Sequence, residues 1–173
     1  WTTGKILFNS QQENQIWAEV ENLPTSGCLT SMKIFQHVGN FRDDFFIDYV
    51  DTDYCLRLRD KGYRVIISPQ VGMKHPLGYY KPNKCYNFLF KRRMVTNYPP
   101  IRHYYWTRNG LTLVGERLSK SLKWSLREVY YLLIRRLVTV LLFEDKKILK
   151  IKYIIIAIFD ASLSRRNKKR GLI

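Results

Sequence analysis

Between residues 50 and 67 the order of apolar and polar side chains predicts a helix followed by a strand. An α-helix would place three apolar residues, spaced four apart, on one face: Val50, Tyr54 and Leu58. Asp53 and Arg57 have the same spacing, so we expect an ion pair on another face. Gly62 follows the last predicted turn, where a left-handed glycine commonly ends a helix. Residues 63–67 then show the apolar run of a buried strand.

The rest of the chain predicts mainly helices. A short helix is expected over residues 32–37, and a longer one over 101–113, because the preceding prolines favour a helix start. A final helix is predicted over 146–163. Two short strands are expected, over residues 25–31 and 71–75.

From residue 124 onward the apolar positions follow a helical period. The stripe that they form comprises Leu126, Val129, Tyr130, Leu133, Leu137, Val140 and Leu141. Arginines at positions 127, 135 and 136 lie off this stripe. The pattern predicts an amphipathic helix. No stretch of 18 uninterrupted apolar residues occurs, so we expect no membrane-spanning segment.

Charge divides the chain into two unlike halves. Residues 1–90 carry ten Lys/Arg and nine Asp/Glu, whereas residues 91–173 carry twenty and five, so the second half holds +15 of the net +16. Such asymmetry indicates a polyanionic partner: a membrane surface, a nucleic acid or an anionic substrate. Membrane is favoured over nucleic acid, because no helix-turn-helix, RRM, KH or zinc-finger pattern is present.

The cysteines indicate a reducing compartment. Cys28, Cys55 and Cys85 are odd in number and widely spaced, and they form no CxxC pair. This pattern is typical of cytoplasmic thiols rather than of a disulfide framework or a zinc site. Cys28 and Cys55 lie among apolar neighbours and are expected in the core.

One segment resembles a known family. The run from Ser26 to Gly78, SGCLTSMKIFQHVGNFRDDFFIDYVDTDYCLRLRDKGYRVIISPQVGMKHPLG, resembles the second half of the catalytic domain of family 2 glycosyltransferases. It is most similar to the bacterial rhamnosyltransferase branch, which builds cell-surface polysaccharide. The likeness continues weakly through residues 102–109, and onward to the C-terminus as a general pattern.

The resemblance implies an α/β fold, namely the C-terminal half of a GT-A domain (a Rossmann-like nucleotide-diphospho-sugar transferase) followed by amphipathic α-helices. Residues 1–110 would be the C-terminal part of that catalytic domain. Residues 111–173 would be a basic, amphipathic helical region that associates with membrane. Nothing upstream of Ser26 resembles the family's nucleotide-binding half, so we expect the chain alone to be inactive.

The resemblance also implies catalytic carboxylates. An inverting transfer needs a base that takes the proton from the acceptor hydroxyl. The matching position is Asp51, with Asp48 and Asp53 as supporting or acceptor-contacting acids. Asp51 follows Val50, where many relatives have an acidic residue, and this departure leaves Asp48 as the substitute. The alternative is that all three cap or pair within the helix, which is the favoured interpretation for Asp53.

Four further residues match substrate-binding positions. Ser26 and Gly27 match a loop of small residues where backbone approaches a sugar closely, although an ordinary turn glycine is nearly as good an explanation. Arg102 and Arg108 could hold phosphate oxygens, since arginine binds them bidentately. Solvent-exposed helix charges are the alternative for both.

The implied cofactor is a divalent cation, Mg²⁺ or Mn²⁺, with most ligands expected in the N-terminal half that is not recognised here. His75 resembles the family histidine that completes its coordination. Residues 51–53 also read Asp-x-Asp, but they open a helix after the acceptor loop, which disfavours a metal-nucleotide role.

The implied function is transfer of L-rhamnose from dTDP-L-rhamnose to a lipid-linked or growing polysaccharide, by an enzyme on the inner face of the cell membrane. Galactofuranose, glucose and N-acetylhexosamine remain open as donor sugars. The competing hypothesis from another class is a non-catalytic basic domain that binds membrane or acts as a scaffold.

Overall fold

A computed structural model describes residues 17–68, 70, 72, 80–82, 85, 88 and 94–169. Its contacts divide the chain into two compact units. The first comprises the described residues within Trp1–Asp44 and Val50–Leu77, and the second those within Phe45–Tyr49 and Gly78–Ile173. The boundary predicted after residue 110 falls inside a helix of the second unit.

The first unit holds two helices and a short antiparallel sheet. Helix α1 is Met32–Val38 and helix α2 is Val50–Asp60, so both predicted helices are confirmed. Strand β1, Ala18–Glu19, pairs with β2, Ile66–Ile67, with Ala18 opposite Ile67. Only the last two residues of the strand predicted over 63–67 form it. A 3₁₀ helix, Asp43–Phe45, precedes α2 in the sequence.

Helix α2 ends as its sequence predicts. Gly62 has a φ of 79°, in the left-handed region that glycine adopts without steric cost. The Tyr63 amide donates to the Leu58 carbonyl and the Gly62 amide to the Arg59 carbonyl, both at 3.0 Å. This pair of hydrogen bonds is a Schellman motif, which satisfies carbonyls that the helix end leaves without partners.

The strand predicted over residues 25–31 is wrong. The chain makes a tight turn there, in which the Cys28 amide donates to the Thr25 carbonyl at 3.0 Å and Gly27 has a φ of 78°. Cys28 is exposed rather than in the core, whereas Cys55 is buried as expected. The strand predicted over 71–75 lies outside the described residues.

The second unit is built from helices that follow one another closely. They are α3, Pro100–Arg117; α4, Leu122–Val129; a π-helix, Tyr130–Arg135; α5, Arg136–Phe143; and α6, Lys147–Lys169. Strands β3, Tyr80–Pro82, and β4, Met94–Thr96, pair antiparallel. The helices predicted over 101–113 and 146–163 are therefore confirmed and extend further.

Helices α3 and α6 form the core of this unit. They make the most extensive contact between any two elements of the described chain. Helix α6 buries residues 150, 154, 157 and 161, which recur at the spacing of one helical face, and α3 contributes Leu113. His103 on α3 is also fully buried.

The apolar stripe predicted from residue 124 onward is only partly confirmed. Val140 is buried as predicted, but Leu126, Tyr130 and Leu141 are exposed, and three residues off the predicted stripe are buried instead: Ser125, Leu132 and Thr139. The π-helix accounts for the difference from Tyr130 onward, because its i→i+5 hydrogen bonds take more residues per turn than the 3.6 assumed for the stripe; it does not account for Ser125 and Leu126, which precede it. The face beyond it is therefore rotated.

The described residues are mainly helical, and both of their sheets are two-stranded and antiparallel. The parallel sheet of a GT-A domain is not among them. The GT-A fold therefore stays a prediction.

Candidate active site

Asp51 lies in the first turn of α2 and is half-buried. Its carboxylate makes no hydrogen bond or ion pair with another residue that the structure describes. Although Cys28 is exposed, partial desolvation of its thiol raises the pKa, and the Asp51 charge adds to that rise. Burial raises the pKa of the Cys55 thiol, with a smaller contribution from Asp51. Within the described chain, Asp51 is thus a carboxylate that no arginine or lysine neutralises.

Asp53, unlike Asp51, forms an ion pair with arginine. It is buried, and its carboxylate accepts a hydrogen bond from Arg57 Nε at 2.8 Å, with Arg42 Nη1 3.9 Å away. The predicted i,i+4 pair is therefore present. Arg57 also donates to the carbonyls that close α1, those of residues 38 to 40. Asp53 consequently holds the arginine that joins α1 to α2, which is a structural role.

Asp48 and Arg102 are brought together in the second unit. Arg102 donates to both oxygens of the Asp48 carboxylate, at 3.1 and 3.0 Å, in the bidentate geometry that makes such pairs strong. The guanidinium also stacks on Tyr98, with 4.3 Å between its carbon and the ring centroid. Two residues predicted for acceptor and phosphate contact therefore bind each other.

The backbone at Asp48 is strained. Asp48 and the following Tyr49 have φ values of 62° and 65°, which place two consecutive non-glycine residues in the left-handed region. The fully buried Asn109 supports this conformation, because its side-chain amide donates to the carbonyls of Phe45, Ile47 and Asp48 at 3.3, 2.8 and 3.0 Å. Strain of this kind persists where the surroundings impose it.

Arg108 orients this asparagine. Its Nε donates to Asn109 Oδ1 at 2.9 Å, which turns the Asn109 amide nitrogen towards the carbonyls of the loop. The guanidinium also stacks on Tyr104 and Tyr105, at 5.6 and 5.2 Å. The geometry therefore assigns Arg108 a supporting role in addition to the phosphate contact that the sequence predicts.

The remaining predicted residues are Ser26, Gly27 and His75. Ser26 and Gly27 lie in an exposed turn of the first unit. His75 lies outside the described residues. No three His, Cys, Asp or Glu side chains among the described residues could together hold a metal ion. Asp53, the second acid of the Asp-x-Asp at residues 51–53, is bound by arginine, so this motif does not fit a cation site. The divalent cation implied by the resemblance stays a prediction.

Sequence reasoning missed Asn109, Arg136 and the pair Tyr49–Glu128. Arg136 stacks on Trp106, 3.7 Å from the ring centroid, and the Tyr49 hydroxyl donates to Glu128 at 2.8 Å. Burial, followed by the Glu128 charge, raises the pKa of Tyr49 well above its usual value. The one sequence signal was a polar residue, Asn109, in the middle of a helix and followed by glycine, a position where asparagine is unfavourable unless it is bonded.

The chain is similar to a curated protein of named activity. Over 110 residues it is 34% identical to the dTDP-rhamnosyl transferase RfbF of Shigella flexneri, an alignment that covers 64% of this chain and 35% of that protein. The chain thus spans about a third of the relative's length. No protein-family model matches the chain. No solved structure matches it either. The similarity supports a rhamnosyltransferase-like glycosyltransferase, and membership of family 2 stays a prediction.

Proposed function

We propose that this chain supplies the acceptor side of an inverting glycosyltransferase that moves L-rhamnose from dTDP-L-rhamnose to a saccharide acceptor. The observation that carries the proposal is the similarity to a dTDP-rhamnosyl transferase over 110 residues. The carboxylate of Asp51, which makes no ion pair with any residue that the structure describes, lies at the position that the resemblance assigns to the base and is consistent with the proposal. In the family, the nucleotide site belongs to the N-terminal half of the catalytic domain, which no part of this chain resembles.

In the proposed reaction Asp51 accepts the proton of the acceptor hydroxyl as that oxygen attacks the anomeric carbon of rhamnose. The new glycosidic bond forms on the face opposite the leaving group, and the bond from the anomeric carbon to the phosphate oxygen breaks. The electron pair leaves with dTDP. A base of this type typically contributes 10²–10⁴-fold to the rate. Asp53 is held by arginine and Asp48 by Arg102, so neither is as free to take the proton.

The test is transfer by the intact protein, with Asp51→Asn beside wild type. The matched control is Asp60→Asn, the same substitution at the exposed end of the same helix. A panel of nucleotide sugars is assayed with and without Mg²⁺ or Mn²⁺, and donor binding is measured separately. We expect dTDP-rhamnose turnover to fall at least about 100-fold in Asp51→Asn, with donor binding retained and Asp60→Asn unaffected.

Two outcomes would contradict the proposal in different ways. Unchanged turnover in Asp51→Asn would remove Asp51 as the base. Absence of transfer from every donor by the wild-type protein would instead favour the non-catalytic membrane-binding or scaffold hypothesis.

A further inference from the structure

Helix α6 is apolar on two opposite faces. One face packs in the second unit through residues 150, 154, 157 and 161. The other face, which we call the outer face, is exposed. It consists of Ile148, Ile155, Phe159 and Leu163, which are 87%, 48%, 64% and 52% exposed. At 100° per residue these four lie within about 80° of one another, and their centre is nearly opposite the buried set.

The outer face is too apolar to be explained as ordinary surface. Soluble proteins expose single hydrophobic residues freely, but large apolar residues in successive turns on one face, here the stripe of Ile155, Phe159 and Leu163, mark an interaction surface. Ile156 and Ile158 flank the stripe and are also exposed. Within the described part of the chain, no helix is long and apolar enough to cross a membrane. The stripe therefore fits a surface on which the helix lies.

The positive charge of α6 indicates which kind of partner surface the outer face contacts. Helix α6, Lys147–Lys169, contains seven Lys/Arg and one Asp. Lys152 is exposed on the outer face itself, between Ile148 and Ile155, while Lys147 is exposed at the first position of the helix and Lys146 precedes it. The single acid, Asp160, accepts a hydrogen bond from Tyr104 at 2.7 Å, so it is directed to the protein. A second copy of the chain would bring like charges together, whereas anionic lipid headgroups would neutralise them.

We propose that the outer face of α6 inserts into the surface of an anionic membrane, with the helix axis in the membrane plane. The four apolar side chains would enter the boundary between headgroups and acyl chains, and the lysines would contact lipid phosphates. A helix with one apolar face and basic flanks binds membranes in this way. This docking is independent of sugar transfer, since it requires neither donor nor Asp51.

The experiment is co-sedimentation of the intact protein with vesicles of phosphatidylcholine, alone or containing phosphatidylglycerol. The apolar variant is Ile155→Ser/Phe159→Ser, and its control is Leu29→Ser, an exposed leucine of the first unit. The charge variant is Lys147→Gln/Lys152→Gln, and its control is Lys33→Gln on α1. Circular dichroism verifies that each variant remains folded.

We expect binding only to anionic vesicles, weakened by high salt. The apolar variant should bind at least roughly tenfold more weakly, because it removes two side chains that would be buried in the membrane. The charge variant should lose about 30-fold, since each basic residue near an anionic surface contributes about a factor of five. Both controls should bind like wild type.

Three results would overturn the proposal: equal binding to neutral vesicles, unchanged binding by the apolar variant, or no vesicle binding at all. If the last is accompanied by dimers that Ile155→Ser/Phe159→Ser dissociates, the outer face is a contact between copies of the chain. Transfer activity is not a readout, so a failure of the proposed reaction would leave these results interpretable.

Discussion

The stability of the second unit should depend on one buried ionic cluster. Lys150 Nζ lies 2.7 Å from Glu144 Oε2, and His103 Nε2 lies 3.1 Å from the same oxygen. The side chains of Lys150 and Glu144 are 2% and 0% exposed, and Lys150 also donates to Asn97. The cluster joins the segment before α3, α3 itself, the end of α5 and α6.

We expect Lys150→Met to cost about 3–5 kcal/mol of unfolding free energy. Methionine retains the length and apolar body of lysine, so the loss comes from leaving the Glu144 carboxylate buried without its cation, and breaking a buried pair typically costs this much. Glu144→Gln should cost a comparable amount because it leaves Lys150 uncompensated. The double variant should be about 2 kcal/mol more stable than the sum of the single effects.

The same cluster makes stability dependent on pH. Burial alone would raise the pKa of Glu144, but the hydrogen bonds from His103 and Lys150 outweigh it and lower the pKa from its usual value. Burial lowers the pKa of His103 from its usual value, although the hydrogen bond with Glu144 opposes this. Each group binds protons more readily when unfolded. Stability should therefore fall as pH drops below about 6.5, and further below about 4.5.

Urea unfolding followed by circular dichroism measures both effects, at pH 7.5 for the mutant cycle and from pH 8 to 4 for wild type. A cost below about 1 kcal/mol for Lys150→Met, or strictly additive single effects, would refute a coupled buried pair. Stability that rises on acidification would refute the signs assigned to His103 and Glu144.

Two further substitutions test the support of the strained loop, both by urea unfolding. Asn109→Ala should cost about 2–3 kcal/mol, because three carbonyls of the loop lose their buried donor; a cost within 0.5 kcal/mol would show that water replaces the amide. Gly110→Ala should cost about 1 kcal/mol net. The new Cβ would lie 2.7 Å from Leu132 Cδ1 and 2.9 Å from Tyr49 Cζ, and the cost of this overpacking exceeds the gain in helix propensity from alanine. Adding Leu132→Ala should relieve part of that strain, and full additivity would contradict it.

Sequence reasoning succeeded where the signal was local. The extent of α2, its glycine cap at Gly62 and the Asp53–Arg57 pair all depend on residues within a few positions of one another. The start of α3 at Pro100 is of the same kind. In each case the interacting groups are fixed by helical spacing alone, so the pattern was sufficient.

Sequence reasoning failed where segments far apart in the chain determine the surroundings of a side chain. His103 carries no local mark of burial, because its partner Glu144 lies 41 residues away. Asn109 likewise acts on carbonyls more than 60 residues earlier in the chain. The π-helix rotated a face that the pattern had placed with an ideal period. For the site, sequence placed Asp51 on the first turn of α2, but it could not reveal that Asp48 and Arg102 bind each other.

The assignment of Phe45–Tyr49 to the second unit has a consequence for dividing the protein into parts. The chain passes between the units after residues 44, 49 and 77, so no single cut separates them. A piece that starts at Gly78 would lack the carbonyls bound by Asn109 and the hydroxyl bound to Glu128. A chimera with a relative would have to exchange residues 45–49 together with the helices, although 50 residues separate that loop from α3.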